Sequence, residues 1–304
     1  MILSASRRTD IPAFYSEWFM RRVEAGFCMV PNPRNPKQVA RVSLRPEDVD
    51  AIVFWSKNPR PMIPHVESLE KRGFRFYFQY TLNDYPLAFE PRVPPLADRI
   101  SAFKQLSQMI GAEKCVWRYD PIIISNVTDF QYHRERFDGL CTALEGYTKR
   151  LVISILDHYK YSDRRLASLE PDGIILEKEP TEHPELRPFL KGLADRARQA
   201  GLAIFSCAEK QDYSSLGIQP GSCIDGELIR KLWGSDHCWK RAKGQREDCN
   251  CVESRDLGTS ESCQHGCLYC YGIWSMKSAR KNYESHRPDT TAILGNPELS
   301  RPFG

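Results

Sequence analysis

No run of apolar residues in this chain approaches the ~20 that a membrane-spanning helix needs. At the start, Met1-Ile-Leu-Ser-Ala-Ser-Arg-Arg brings charge before an apolar leader core can form, so no secretory signal is expected. Charge of one sign is also scarce. The 43 Lys+Arg oppose 39 Asp+Glu, and the net +4 gives little electrostatic footprint for nucleic acid or an anionic membrane. No Gly-rich dinucleotide turn follows the first apolar run, which argues against an open Rossmann sheet. Internal repeats and low-complexity tracts are missing too. A hydrolase using His158 with Asp157 or Asp120 has no nucleophile motif behind it.

What remains is globular composition, with 41% hydrophobic and 27% charged residues over 304 positions. That length suits one large domain or two ordinary ones. Short apolar runs occur at Ile2–Ala5, Ala51–Trp55, Phe74–Tyr80, Cys115–Trp117, Leu151–Leu156 and Leu202–Phe205. Between several of them lie helix-period segments, such as Ile100-Phe103-Leu106-Ile110, Phe137-Leu140-Leu144 and Leu186–Ala200. Strands alternating with helices predict βαβ units and an α/β parallel sheet. Six strands with none left for an antiparallel edge suggest a (β/α)6-like partial TIM barrel. The expected organisation is a β/α body over 1–206 and a cysteine-rich section over 207–304, closed by a helix over Tyr271–Tyr283. The Pro-rich patches 31–36, 59–64 and 91–95 read as stiff loops.

In parallel β/α folds, chemistry collects in the loops after the strands. Those loops offer Arg7-Arg8-Thr9-Asp10, Lys57, Gln79, Arg118, Asp120, His158 and Glu209. Lys57, Gln79, Arg118, Asp120, His158 and Glu209 are the candidate contacts for a polar substrate.

Cysteine is the one residue type in excess, with 11 in the chain. Cys28, Cys115 and Cys141 are scattered and read as small core residues; the other eight fall between Cys207 and Cys270. In a reducing cytoplasm, where the chain is expected to reside, such a cluster points to metal rather than disulfides. Cys263-Gln-His-Gly-Cys267-Leu-Tyr-Cys270 is a C-x3-C-x2-C run. Three thiolates on one tight loop can hold three irons of a cubane cluster, leaving the fourth open. His265 within it is expected to be a solvent-exposed polar residue. Cys207, Cys223, Cys249 and Cys251 form a possible second four-thiolate site, for a second iron–sulfur cluster or for zinc. Cys238 is expected to be a spare.

The C-x3-C-x-aromatic-C loop, with Tyr269 as its aromatic, resembles that of the radical S-adenosylmethionine (SAM) enzymes. The chain is also similar to a bacterial family catalogued as domain of unknown function 1848. That similarity runs from Ser4-Ala-Ser-Arg-Arg-Thr-Asp-Ile-Pro12 through Phe54-Trp-Ser-Lys-Asn-Pro59 and Trp117-Arg-Tyr-Asp-Pro121 to the last cysteines. The radical SAM resemblance implies a [4Fe-4S] cluster held by Cys263, Cys267 and Cys270, whose open iron chelates SAM. Reductive cleavage then yields a 5′-deoxyadenosyl radical acting on a small-molecule or macromolecular substrate, nucleic acid among them. It also implies a reducing partner such as flavodoxin or ferredoxin, with no membrane involved. In most such enzymes the cysteine loop follows the first barrel strand, whereas here it follows the last. A circular permutation reconciles the two if Leu202–Phe205 is the family's first strand and Ile2–Ala5 its neighbouring second. Arg7, Arg8, Thr9 and Asp10 then stand where the family carries a Gly-Gly-Glu motif toward SAM, a motif absent here. The competing expectation is a zinc-binding β/α module that docks nucleic acid or protein.

Overall fold

The structure, a computed structural model, describes residues 1–298; residues 299–304, the end of the expected C-terminal section, lie outside it. The chain forms two compact units. The first holds Met1–Phe78, Ser254–Gly266 and the described chain from Cys270; the second holds Gln79–Glu253 with Cys267–Tyr269. The division expected at 206/207 thus falls inside the second unit, within a strand.

In chain order the first unit opens with β1 (Ile2–Ala5), α1 (Ile11–Phe14) and α2 (Ser16–Ala25). The hairpin β2 (Phe27–Asn32) and β3 (Asn35–Ser43) follows, then β4 (Ala51–Ser56), α3 (Val66–Lys71) and the first half of β5 (Phe76–Thr81). The second unit continues from β5 through α4 (Leu96–Ile110), β6 (Cys115–Ile122), α5 (Phe130–Leu144) and β7 (Arg150–Ile155). It then adds α6 (Lys160–Ala167), α7 (Leu186–Gln199), β8 (Ala203–Cys207), β9 (Gln219–Gly221) and α8 (Gly226–Trp233). The chain returns to the first unit with β10 (Arg255–Asp256) and α9 (Met276–Ser285).

The fold is mixed α/β with a mostly parallel sheet. In the first unit the strand order is β10-β1-β4-β5, with Leu3 opposite Arg255 and Ile2 opposite Ala51. In the second it is β5-β6-β7-β8-β9. All six predicted strands are present. The sheet carries two more, β9 and β10, whose three and two residues are too short for an apolar pattern to announce. The β2–β3 hairpin is antiparallel and forms a separate sheet, where Pro31, Pro33 and Pro36 had suggested only loop. Prolines are tolerated there because a two-stranded ribbon leaves edge positions that need no ladder donor.

Each unit has its own apolar centre. Phe54 stacks on Phe78 with ring centroids 4.7 Å apart and meets Phe19 edge-on at 5.4 Å. In the second unit Trp117 stacks on Phe137 at 5.3 Å, and α7 buries Leu186, Phe189, Leu190, Leu193, Ala194 and Ala197 on one face. Each such large side chain contributes roughly 1.5–3 kcal/mol on burial. Cys28, Cys115 and Cys141 lie in these interiors, and burial pushes all three thiols up, those of Cys28 and Cys141 to about 12. Among the described residues no helix is long and apolar enough to cross a membrane.

Candidate functional site

In the first unit the segment after β1 is bound to the segment after β10. Asp256 is the centre of one set of bonds. Its carboxylate accepts from Ser4 Oγ (3.2 Å), Ser6 Oγ (2.6 Å), the Arg7 N–H (3.1 Å), Arg8 Nη2 (3.2 Å) and the Gly258 N–H (2.9 Å). Arg8 also donates to Gly258 O at 2.8 Å. The chain passes so close here that a Cβ on Gly258 would lie 2.0 Å from Ser6 Oγ and 2.8 Å from Thr9 Oγ1. Only glycine allows that approach. Beside this hub, Arg8, Asp256 and residues of the β2–β3 hairpin line a cavity of ≈ 420 Å³.

Asp10 is the centre of a second set. Its carboxylate caps α1 through the Ala13 N–H (3.0 Å) and accepts from Ser56 Oγ (2.8 Å) and the Lys57 N–H (2.8 Å). The same carboxylate accepts from His265 Nε2 at 2.7 Å, within the cysteine loop. Thr9 Oγ1 donates to Thr259 O and lies 2.7 Å from Ser262 Oγ; the Tyr15 hydroxyl donates to Ser262 O at 2.8 Å. The backbone N–H groups of His265 and Asp10 both donate to the Cys263 thiol. Burial, then the negative groups Asp10 and Cys270, push that thiol up to about 12. Contrary to the exposed position expected of it, His265 is buried, 3% exposed, and packed edge-on against Phe14 at 4.7 Å. Its Nδ1 has no hydrogen-bond partner among the described residues.

The pairing also corrects the strand assignment behind the permutation. The strands beside β1 are β4 and β10, the latter ahead of the cysteine loop, whereas β8, which covers most of Leu202–Phe205, has β7 and β9 as its neighbours. The closing helix starts at Met276 rather than Tyr271. The N–H groups of Trp274 and Ser275 are taken by the Glu261 carboxylate, and Ser275 then caps the helix through the Ser278 N–H (3.2 Å).

In the second unit, the Leu268 N–H donates to Phe89 O (3.0 Å) and Leu268 O accepts from Arg165 Nε (3.0 Å). Cys267 is buried, and the hydroxyl of Tyr269 donates to the Glu90 carboxylate. That phenol is pushed well up, by burial first and by Glu90 second.

The four further cysteines of this unit come together although 44 positions separate the first from the last. Cys207 Sγ lies 2.9 Å from Cys223 Sγ; Cys223 is in hydrogen-bonding contact with Cys251, and Cys251 with Cys249. The Ile224 N–H donates to Cys251 Sγ at 3.4 Å. Three of the predicted substrate contacts, Gln79, Arg118 and Asp120, lie in this group. Arg118 is held by Asp120 through Nε (2.8 Å) and Nη2, and its Nη1 donates to Gln79 Oε1 (3.3 Å) and Cys223 Sγ (3.0 Å). Gln79 Nε2 donates to Cys223 O at 2.8 Å. Burial opposes the Arg118 charge, but Asp120 and the Cys223 and Cys207 thiols outweigh it and hold the guanidinium well above its usual range. The hydrogen bond from Cys223, helped by Arg118, lowers the Cys207 thiol, while Cys223 is raised. Glu209 accepts from the Ile155 N–H at 2.9 Å, and burial pushes its carboxyl up to about 7. His158 is half-exposed, with Nδ1 3.0 Å from Asp163 Oδ1. Lys57 belongs to the first unit, and Cys238 is exposed. Among the described residues no group of three or more His, Cys, Asp or Glu side chains stands already arranged around a metal position.

A family model described as "Domain of unknown function (DUF1848)" matches residues 2–272. No curated protein matches the chain.

Proposed function

The chain belongs to the DUF1848 family, and from that premise we propose that it is a circularly permuted radical SAM enzyme. The observation that carries the reading is the succession of β10, the cysteine loop and α9, with β1 parallel beside β10 and its following segment bonded to the loop at Cys263 and His265. A strand, a three-cysteine loop and a helix, next to a second strand whose end meets the loop, is the arrangement that the permutation requires. The sheet would then be a partial barrel whose first strand is β10.

The residues present suit an iron–sulfur cluster by the chemistry of their donors. Cys263 is half-buried beside the carboxylate of Asp10 and the thiol of Cys270, a cluster of acids that a bound cationic centre would relieve. Cys263, Cys267 and Cys270 would hold a [4Fe-4S] cluster, which supplies the electron for SAM cleavage when bound. Asp10 fixes the loop through His265 and a backbone N–H, and those two bonds set the direction of the Cys263 sulfur. Arg7 and Arg8 are bonded to Asp256 and Thr9 to Thr259 O, in the segment ahead of the loop, and Tyr269, tied to Glu90, holds the position next to Cys270. The reading places the protein in a reducing cytoplasm with a flavodoxin- or ferredoxin-like donor and a polar substrate.

The test is anaerobic purification of the full chain, followed by assay of iron, sulfide and SAM cleavage under reductant. The expected result is a brown protein with cluster-level iron and matching sulfide that releases 5′-deoxyadenosine, with release abolished by Cys267→Ala. A colourless protein without sulfide, or cleavage that survives Cys267→Ala, overturns it.

A further inference from the structure

We propose that Cys207, Cys223, Cys249 and Cys251 form a mononuclear zinc site in the second unit. This goes beyond the radical SAM reading and does not depend on it. The argument begins with spacing. Thiolates around one tetrahedral zinc, at Zn–S ≈ 2.3 Å, lie about 3.8 Å from one another. In a cubane cluster each thiolate caps a separate iron, so the sulfurs stand much further apart. Here they are in serial contact, Cys207 to Cys223, Cys223 to Cys251 and Cys251 to Cys249, the first pair at 2.9 Å. Sulfurs this close suit one central ion, about which the thiolates need only spread slightly, better than a cluster whose thiolates each cap a separate iron.

The surroundings are those of a thiolate site. The Ile224 N–H donates to Cys251 Sγ and the Cys251 N–H to Cys249 Sγ, the short-loop N–H···S bonds that orient sulfur lone pairs. Four thiolates on Zn²⁺ leave a net charge of −2, and the fully buried Arg118 points its guanidinium at Cys223 Sγ from 3.0 Å. Arg118 is therefore a positioning and charge-compensating residue of this site. Two further contacts bring the segments together: Ser222 Oγ donates to Asn250 O (2.8 Å), and Arg241 Nε donates to Cys249 O (3.0 Å). The chain between Cys223 and Cys249 is long, and a metal would fix both its ends.

The experiment uses the full chain with zinc and cobalt(II) as probes, and measures bound metal rather than activity. Zinc is counted by elemental analysis in wild type and in the combined Cys263→Ala, Cys267→Ala, Cys270→Ala variant. Stoichiometric zinc is expected in both, and chelator-stripped wild type should take up cobalt(II) with the intense thiolate charge-transfer and d–d bands of a tetrahedral S4 site. Arg118→Gln should weaken zinc binding by 10–100-fold, the range for a lost outer-shell partner. Cys249→Ser with Cys251→Ser should lose it altogether. Iron with matching sulfide in the triple variant would overturn the proposal in favour of a second cluster. So would a stripped wild type that binds neither metal, or one in which Cys207 and Cys223 are found as a disulfide under reducing conditions. Failure of SAM cleavage alone would leave zinc content unchanged, so the two readings fail separately.

Discussion

The first unit and the second gather their polar groups around different centres. In the first, two carboxylates, Asp10 and Asp256, each collect donors from segments about 250 positions apart, and the bonds are complete within the protein. In the second, four thiols and a buried guanidinium converge without such closure, because thiols are weak donors and weak acceptors for one another. A carboxylate surrounded by N–H and O–H groups is stable as it stands, whereas a nest of sulfurs beside a cation gains most from a metal.

Three measurements test that contrast. The largest concerns Asp10. Replacing it with Ala strands the donors of Ser56, Lys57 and buried His265 at once, so Asp10→Ala should cost about 3–5 kcal/mol in urea denaturation. A loss under 1 kcal/mol would mean that the hub is not what holds the first unit. Next comes the acid response of the second unit. Burial lowers His133 from 6.5 to about 4, where the ring lies 2.7 Å from the Tyr119 hydroxyl and 2.9 Å from Ile123 O. A depressed folded value means that the unfolded chain takes the proton first. The stability is therefore present above pH 6.5 and is lost as pH falls toward 4, by about 3 kcal/mol over that window. His133→Gln should flatten the slope; a slope unchanged in the variant would assign the effect elsewhere. The smallest expected effect is at Cys238, which is exposed and outside the thiol group. Cys238→Ser should leave stability within about 0.5 kcal/mol and bound metal unchanged. Metal lost in that variant would redraw the ligand set.

The six main strands and the long helices were legible because each carries its period within a few residues, as Ala51–Trp55 and Leu186–Ala200 do. The cysteine triplet was legible for the same reason. The partners were not. His265 reads as an exposed loop residue until Asp10, 255 positions away, is brought against it. Arg118 reads as a substrate contact until Cys223 and Asp120 claim its donors. Strands β9 and β10 have too few residues for a pattern, yet β10 decides which strand stands beside β1. Even so, the four dispersed cysteines were open to grouping by residue type and compartment, although their spacing matches no standard motif.

The pairing of β1 with β10 has a consequence for how the protein is made. The chain leaves the ribosome from its N-terminus, at ≈ 5–20 residues per second. Residues 79–253, all but three of those in the second unit, are thus available as one uninterrupted stretch, while β1 waits for its second partner, β10, which emerges some 250 residues later. During that interval β1 has β4 on one side and an unpaired edge on the other, a template for other chains. The last-synthesised part of the first unit therefore brings Cys263 and Cys270 and also covers the edge that the earliest part had to leave open.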